Sequence, residues 1–275
     1  MIWGKYIKMD SLRENRTKED VVAELNMLLD EDIDNKKCIV LVEGSDDVTF
    51  MEIVLEDNAV CVESPYGGKH GLDDLMEEPS IQRKEVIAVR DKDYMDLTQL
   101  GDREFVYDGC CLETMILSNP DIAEGFHRLY QGKKGKEEYL IHAMRQLAPY
   151  SMLRKKNEIE KQGINFEKVG FGDLVKEEVL QIEELFNRIH QIEIFSSCKE
   201  KAKELSDSEL WDITNGHDFY TYLGALSKQG RKTLGEIGVR NILFAMYRKK
   251  DFERTRLYHT VLEYQKRNRL KFVRC

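Results

Sequence analysis

Proline and paired cysteine are scarce in this chain of 275 residues, and each scarcity excludes something. There are four prolines, and no stretch rich in proline, glycine and serine marks a flexible linker. Later segments are therefore expected to pack on earlier ones as one body. The six cysteines (Cys38, Cys61, Cys110, Cys111, Cys198 and Cys275) contain no C-x-x-C pair, so neither a zinc site nor a disulfide framework is indicated. Cys38 and Cys61 lie in apolar runs, where a reduced thiol acts as a small hydrophobe. No apolar run reaches the ~18 residues that a membrane helix requires. Residues 1–10 lack the apolar core of a signal peptide, so a cytoplasmic protein without membrane contact is expected. A phosphate-binding P-loop is also missing, because Gly67-Gly68-Lys69 is followed by His70 and not by serine or threonine.

What is present is globular in character, with 41% hydrophobic and 34% charged residues. The net charge of −9 argues mildly against a protein that coats nucleic acid, but the charge is unevenly spread. From Lys228 onward 14 Lys and Arg face 4 Asp and Glu, a net of +10, which leaves −19 on the preceding 227 residues. An acidic body with a basic tail can hold cations at one place and touch phosphates at another. The same pattern is also produced by a solvated charged helix, and both readings stay open here.

The N-terminal part predicts a helix, with Thr17 and Asp20 as a capping box and Val21, Val22, Leu25, Leu28 and Leu29 at helical spacing. Strands then alternate with helices. Strands are expected at 38–42, 59–63, 85–89 and 104–107, with helices at 46–55, 72–76 and 112–117. Such alternation implies a mostly parallel sheet covered on both faces. Beyond Pro120 the strand signal fades, and 137–154, 174–195, 206–211 and 241–269 read as helices. The expected division is an N-terminal helix (1–36), an α/β core (37–118) and a helical region packed on it (119–275). The tyrosines 220, 222, 247, 258 and 264 fall at near-helical intervals and read as core.

Carboxylates collect where these strands end. Glu43 follows the run Cys38-Ile-Val-Leu-Val42, and Asp91 and Asp93 follow the run that ends at Val89. In extended geometry Asp91 and Asp93 would project to one side, and parallel neighbours would bring Glu43 beside them. Such groups repel unless a cation lies between them, and all-oxygen donors suit Mg²⁺ or Mn²⁺; Asp91 and Asp93 taken alone also read as an acidic turn. Asp47, one helical turn past Glu43, could lean toward the same ion.

A strand ending in Glu-Gly, followed after one βα unit by a strand ending in Asp-x-Asp, resembles the Toprim domain. The stretches "LVEGSDDVTF", "YGGKHGLDDL", "AVRDKDY", "YDGCCLETMIL" and "NGHDFYTYLGAL", in that order, further resemble the Toprim nuclease family that includes AriB, the effector of the PARIS anti-phage system. The similarity covers roughly residues 15–245. It implies an α/β Toprim-like fold with a packed helical region, and a metal-dependent nuclease held by an ABC-type ATPase partner. It also implies RNA as substrate, tRNA in particular. A DNA nuclease of the more distant OLD-like type and an inert Toprim-like subunit are the alternatives. The resemblance makes Glu43 the general acid/base or a ligand, makes Asp91 and Asp93 the Mg²⁺ ligands, and implies a homodimer in the active state.

Other candidates carry two readings each. Glu113, among Cys111, Leu112, Met115 and Ile116, is either a further metal ligand or a surface glutamate of its helix. Lys69 either neutralises a phosphate beside the ion or is a solvated lysine in a glycine turn. Lys133, Lys134 and Lys136, with Lys266, Arg267 and Arg269, are candidates for the nucleic-acid backbone. His217 could form a proton-transfer pair with Asp218, but a structural role is favoured, with Asn215 or Asp218 capping a helix.

Overall fold

A computed structural model describes residues 17–30, 37–65, 68–130, 136–166, 170–229 and 232–273. The chain divides into two compact units. The first comprises Met1–Arg90, Leu100–Phe105 and Leu257–Cys275, and the second comprises Asp91–Gln99 and Val106–Arg256. This division differs from the expected one, because the last helix belongs with the sheet and not with the helical region.

The first unit is built on a four-stranded all-parallel sheet in the order β2-β1-β3-β4. Its strands are β1 (Cys38–Val42), β2 (Ala59–Glu63), β3 (Val86–Arg90) and β4 (Glu104–Val106). β1 is central because all five of its residues are apolar, and every one is fully buried. A strand covered on both faces needs such a run without alternation. Its register aligns Leu41 with Val62 on one side and with Ala88 on the other.

On one face Ile39, Leu41, Val62, Val86 and Ala88 meet Val21 and Leu25 of α1 (Lys18–Asp30) and Leu72 and Leu75 of α3 (Gly68–Met76). The predicted capping box starts α1: the Thr17 amide donates to Asp20 Oδ2 (3.0 Å) and the Asp20 amide to Thr17 Oγ1 (3.2 Å). Cys38, Val40 and Val42 point to the opposite face, since successive side chains alternate along a strand. The crossover helix α2 (Ser45–Val54) packs on β2 and buries Phe50, Met51 and Val54. The C-terminal segment is tied to this unit by the Glu56 amide, which donates to the Phe272 carbonyl (3.0 Å), and by Tyr264 Oη, which donates to the Lys84 carbonyl (2.9 Å).

The second unit is helical. Its helices are α4 (Leu112–Ser118), α5 (Pro120–Tyr130), α6 (Lys136–Glu160), α7 (Ile182–Arg188), α8 (Phe195–Lys203), α9 (Asp207–Ile213), α10 (Gly216–Leu226), α11 (Glu236–Met246) and α12 (Lys249–Phe252). Tyr150 meets Phe166, Phe171 and Phe186 edge-on at the centre. Arg154 lies over the Phe166 ring (4.4 Å) and pairs bidentately with Asp218, Nε to Oδ2 at 2.5 Å and Nη2 to Oδ1 at 2.7 Å.

Two expected helices are corrected. Residues 174–195 begin as a hairpin of β5 (Val175–Lys176) and β6 (Val179–Leu180) before α7. Its two turn residues, Glu177 and Glu178, both have positive φ (49° and 67°), a conformation that Asn-Gly or Asp-Gly ordinarily signals. Residues 241–269 are three helices, not one. After α11 the chain turns extended at Tyr247, Asp251 Oδ2 accepts the Arg248 amide (2.9 Å) to start α12, and the last helix is α13 (Arg256–Asn268). As expected, Tyr220, Tyr222, Tyr247, Tyr258 and Tyr264 are all buried.

Candidate active site

In the first unit Glu43 is the first residue past the buried β1. Its carbonyl accepts the Gly68 amide (2.8 Å) and the Ser64 hydroxyl (3.3 Å), so its backbone is pinned where α3 starts. Gly68 takes φ 71°, a left-handed conformation that favours glycine, and Lys69 follows as the second residue of α3. Asp47 has a local structural use, since its Oδ2 accepts the Gly44 amide (3.0 Å) at the start of α2.

The Glu43 side chain, 17% exposed, meets a cation that sequence reasoning missed. Arg90, the last residue of β3, is 4% exposed and faces three carboxylates. Its Nη1 donates to Asp73 Oδ1 (2.5 Å) and to Glu104 Oε1 (3.3 Å), and its Nε lies 3.6 Å from Glu43 Oε1. Burial alone would lower the guanidinium pKa. The Asp73 hydrogen bond and the charges of Asp73, Glu43 and Glu104 outweigh it and raise the pKa above its ordinary value.

In the second unit Asp91 Oδ1 accepts the amide of Leu112 (3.1 Å), the first residue of α4. Asp93 corrects the extended D-x-D expectation. The strand stops at Arg90, and Asp93 has φ 46° with its amide donating to the Cys110 carbonyl (2.8 Å). The shared orientation inferred from a continuous strand therefore does not follow. Lys92, between the two aspartates, pairs with Asp212.

Glu113 on α4 is 12% exposed and lies beside His217 of α10, with Oε1 4.0 Å from Nδ1. His217 Nδ1 is 2.6 Å from Glu236 Oε1, and Thr221 Oγ1 donates to Glu236 Oε2 (3.3 Å). The Glu236 contact, against the opposing effect of burial, raises the His217 pKa to about 9. The Glu236 carboxyl is held below its usual value, chiefly by the hydrogen bond from His217. Asn215 caps α10 as expected, its Oδ1 accepting the Asp218 amide (3.2 Å), so His217 pairs with Glu236 while Asp218 is taken by Arg154. Burial, then the neighbouring Cys110 thiol and the Glu113 charge, push the Cys111 thiol well up.

Lys266, Arg267 and Arg269 are exposed at the end of the first unit's last helix. Lys133 and Lys134 lie outside the described residues, as does the side chain of Lys136, which begins α6.

Glu43, Asp91 and Asp93 are carboxylate donors of the type that Mg²⁺ or Mn²⁺ prefers. Among the described residues, however, no group of three or more His, Cys, Asp or Glu is gathered in ion-binding geometry. Sequence reasoning missed Arg90 by ending its strand one residue early, and Glu236 because it is 19 positions from its partner. Among the described residues no helix is long and apolar enough to cross a membrane. No protein-family model matches the chain, and no curated protein matches it either.

Proposed function

We propose that the protein is a divalent-metal-dependent nuclease of the Toprim kind that hydrolyses phosphodiester bonds in RNA, with tRNA the class of substrate. One observation carries this reading: Glu43 stands at the carboxyl edge of a parallel sheet, directly after a strand buried over its whole length. Open α/β sheets bind their ligands at that edge. The parallel neighbour β3 leads in sequence into Asp91 and Asp93.

Glu43 and Asp47 in the first unit, and Asp91, Asp93 and Glu113 in the second, are the carboxylates that would offer oxygen donors to Mg²⁺ or Mn²⁺. A bound ion supplies charge for the phosphate and lowers the pKa of an attacking water. Glu43 serves as ligand or takes the proton from that water. Lys69 offers an ammonium to a phosphate oxygen, while Lys266, Arg267 and Arg269, with Lys133, Lys134 and Lys136, offer the salt-sensitive contacts of a nucleic-acid backbone. An ABC-type ATPase partner, a role in anti-phage defence and a homodimer in the active state belong to the same reading and rest on the sequence resemblance, while a cytoplasmic location is proposed from the composition.

A second reading is an inert Toprim-like subunit. It is favoured by Glu43 facing Arg90 and by Asp91 accepting the Leu112 amide, since both carboxylates already have protein partners. Incubating the pure protein with labelled RNA and DNA, in Mg²⁺ and in EDTA, separates the two. The nuclease reading expects RNA fragments in Mg²⁺ alone. Intact RNA under both conditions favours the inert subunit.

A further inference from the structure

The second unit contains a cleft of about 530 Å³, within the size range of a small-molecule site. It is formed by α6, the β5–β6 hairpin and α8. Its apolar lining includes the buried Pro149, Leu180 and Ala202 and the exposed Val179. The hairpin is tied to α6 at this place, because Gln146 Oε1 accepts the Leu180 amide (2.7 Å). That bond fixes the side-chain amide and leaves its Nε2 2.8 Å from His142 Nε2. An amide nitrogen only donates, so His142 Nε2 accepts and the ring proton sits on Nδ1, a further donor in the lining. The remaining charged residues of the lining, Arg145, Lys199 and Lys203, are all cations. The whole chain has 51 acidic against 42 basic residues, so this cleft departs from its average surface. Arg145 gives one donor to the Leu205 carbonyl (2.7 Å) and one to Asp207 (2.6 Å), and its fork keeps others. Lys203 pairs with Glu200 (2.6 Å). Among the described residues Lys199 makes no ion pair, and its ammonium lies 5.4 Å from the centre of the Phe195 ring.

We propose that this cleft binds an organic phosphate of nucleotide size, its phosphate on Arg145, Lys199 and Lys203 and its apolar body on Pro149, Val179, Leu180 and Ala202. A phosphate monoester carries about −1.5 to −2 charges near pH 7 and three strong acceptor oxygens. Three cations match that demand better than they match the single charge of a carboxylate. Arginine adds a planar fork that can grip two phosphate oxygens at once. The ion pairs already present do not stand in the way. Asp207 and Glu200 are exposed and lie outside the lining, so their pairs with Arg145 and Lys203 are weak and can be exchanged for a phosphate. The apolar lining gives an organic phosphate an advantage over the free ion, since burying its body removes apolar surface from water. The proposal is independent of the nuclease reading, because none of the residues named there lines the cleft.

Adenosine monophosphate, inorganic phosphate and adenosine are the probes, titrated calorimetrically into the full chain in EDTA. The monophosphate is expected to bind more tightly than either fragment. Lys199→Gln removes a cation without stranding an acid, and Lys201→Gln, exposed on the same helix but outside the lining, removes the same charge elsewhere. Lys199→Gln is expected to bind the monophosphate roughly two- to fivefold more weakly than Lys201→Gln, the scale of one exposed charge contact. Val179 is 49% exposed, so Val179→Asp is expected to fold, and its carboxylate in the lining should weaken binding at least as much. Thermal unfolding checks the fold of each variant, and the two lysine variants decide the matter if Val179→Asp is unfolded. Equal affinities in Lys199→Gln and Lys201→Gln overturn the site, as does a wild type that binds none of the probes at millimolar concentration. Adenosine binding as tightly as the monophosphate overturns the role of the cations. Inorganic phosphate binding as tightly as the monophosphate overturns the role of the apolar lining.

Discussion

Asp218→Asn tests how the second unit is held together. Arg154 donates to both Asp218 oxygens, at 2.5 and 2.7 Å, from a position over the Phe166 ring. The side chains are 21% and 10% exposed, so water cannot readily replace either partner. Asparagine keeps the shape but offers one acceptor where there were two, and turns an N–H₂ toward a guanidinium that has only donors. A charge is left behind without its counter-charge in a largely buried place, a situation that costs about 3 kcal/mol. For a chain of this size that corresponds to a fall in Tm of roughly 6–12 °C. Differential scanning calorimetry and urea unfolding give the number. Replacing Arg154 by methionine in the same variant should restore part of the loss, because the unpaired charge goes with it. A loss below about 1 kcal/mol, or no recovery in the double variant, would show that the pair is a solvated surface contact and refute the reasoning.

Three further outcomes are expected. The His217 ring should titrate near pH 9 by NMR, and Glu236→Gln should return it toward about 6.5, the ordinary imidazole value. Because the folded pKa is the raised one, the pair's stabilisation is complete below the unfolded pKa and fades as pH rises through about 9; a wild-type midpoint at the ordinary value contradicts the pairing. Replacing Lys266, Arg267 and Arg269 with glutamine should weaken RNA binding and lower its log–log salt slope by about 3, roughly one per lost phosphate contact, and an unaltered slope assigns the tail to another role. Gly71→Ala would place a Cβ 1.9 Å from the Pro65 carbonyl oxygen, so α3 must shift, at a cost of about 2 kcal/mol or more in urea unfolding, and unchanged stability rules out that close approach.

The sheet was legible because its signals are local and redundant. An unbroken apolar run such as Cys38-Ile-Val-Leu-Val42 admits few structures other than a strand buried on both faces, and the Thr17–Asp20 box marked the first helix start. The hairpin of β5 and β6 was hidden because two glutamates occupy its left-handed turn, with none of the residues that ordinarily announce one. The last helices ran together in sequence because charged residues at Arg248, Lys249 and Lys250 suit a helix surface, while the break at Tyr247 is a backbone turn stabilised by Asp251. At the candidate site, Glu43 at the sheet edge was legible from the strand alone. Arg90 and its carboxylates were not, because Asp73, Glu104 and Glu43 come together only when the sheet order brings β1, β3 and β4 side by side. Asp93 was misread because its left-handed backbone follows from the turn after β3 and not from the D-x-D spacing.

The central claim is that Glu43 performs chemistry at the sheet edge, and Glu43→Gln tests it most directly. The amide keeps the size of the side chain, but it accepts no proton at working pH and binds Mg²⁺ poorly. RNA cleavage by purified wild type and variant is followed across a Mg²⁺ titration, with unfolding curves to confirm that both are folded. The account predicts a loss on the order of a hundredfold or more at saturating Mg²⁺, the scale of a missing general base. Equal cleavage by the two proteins at every Mg²⁺ concentration would contradict it.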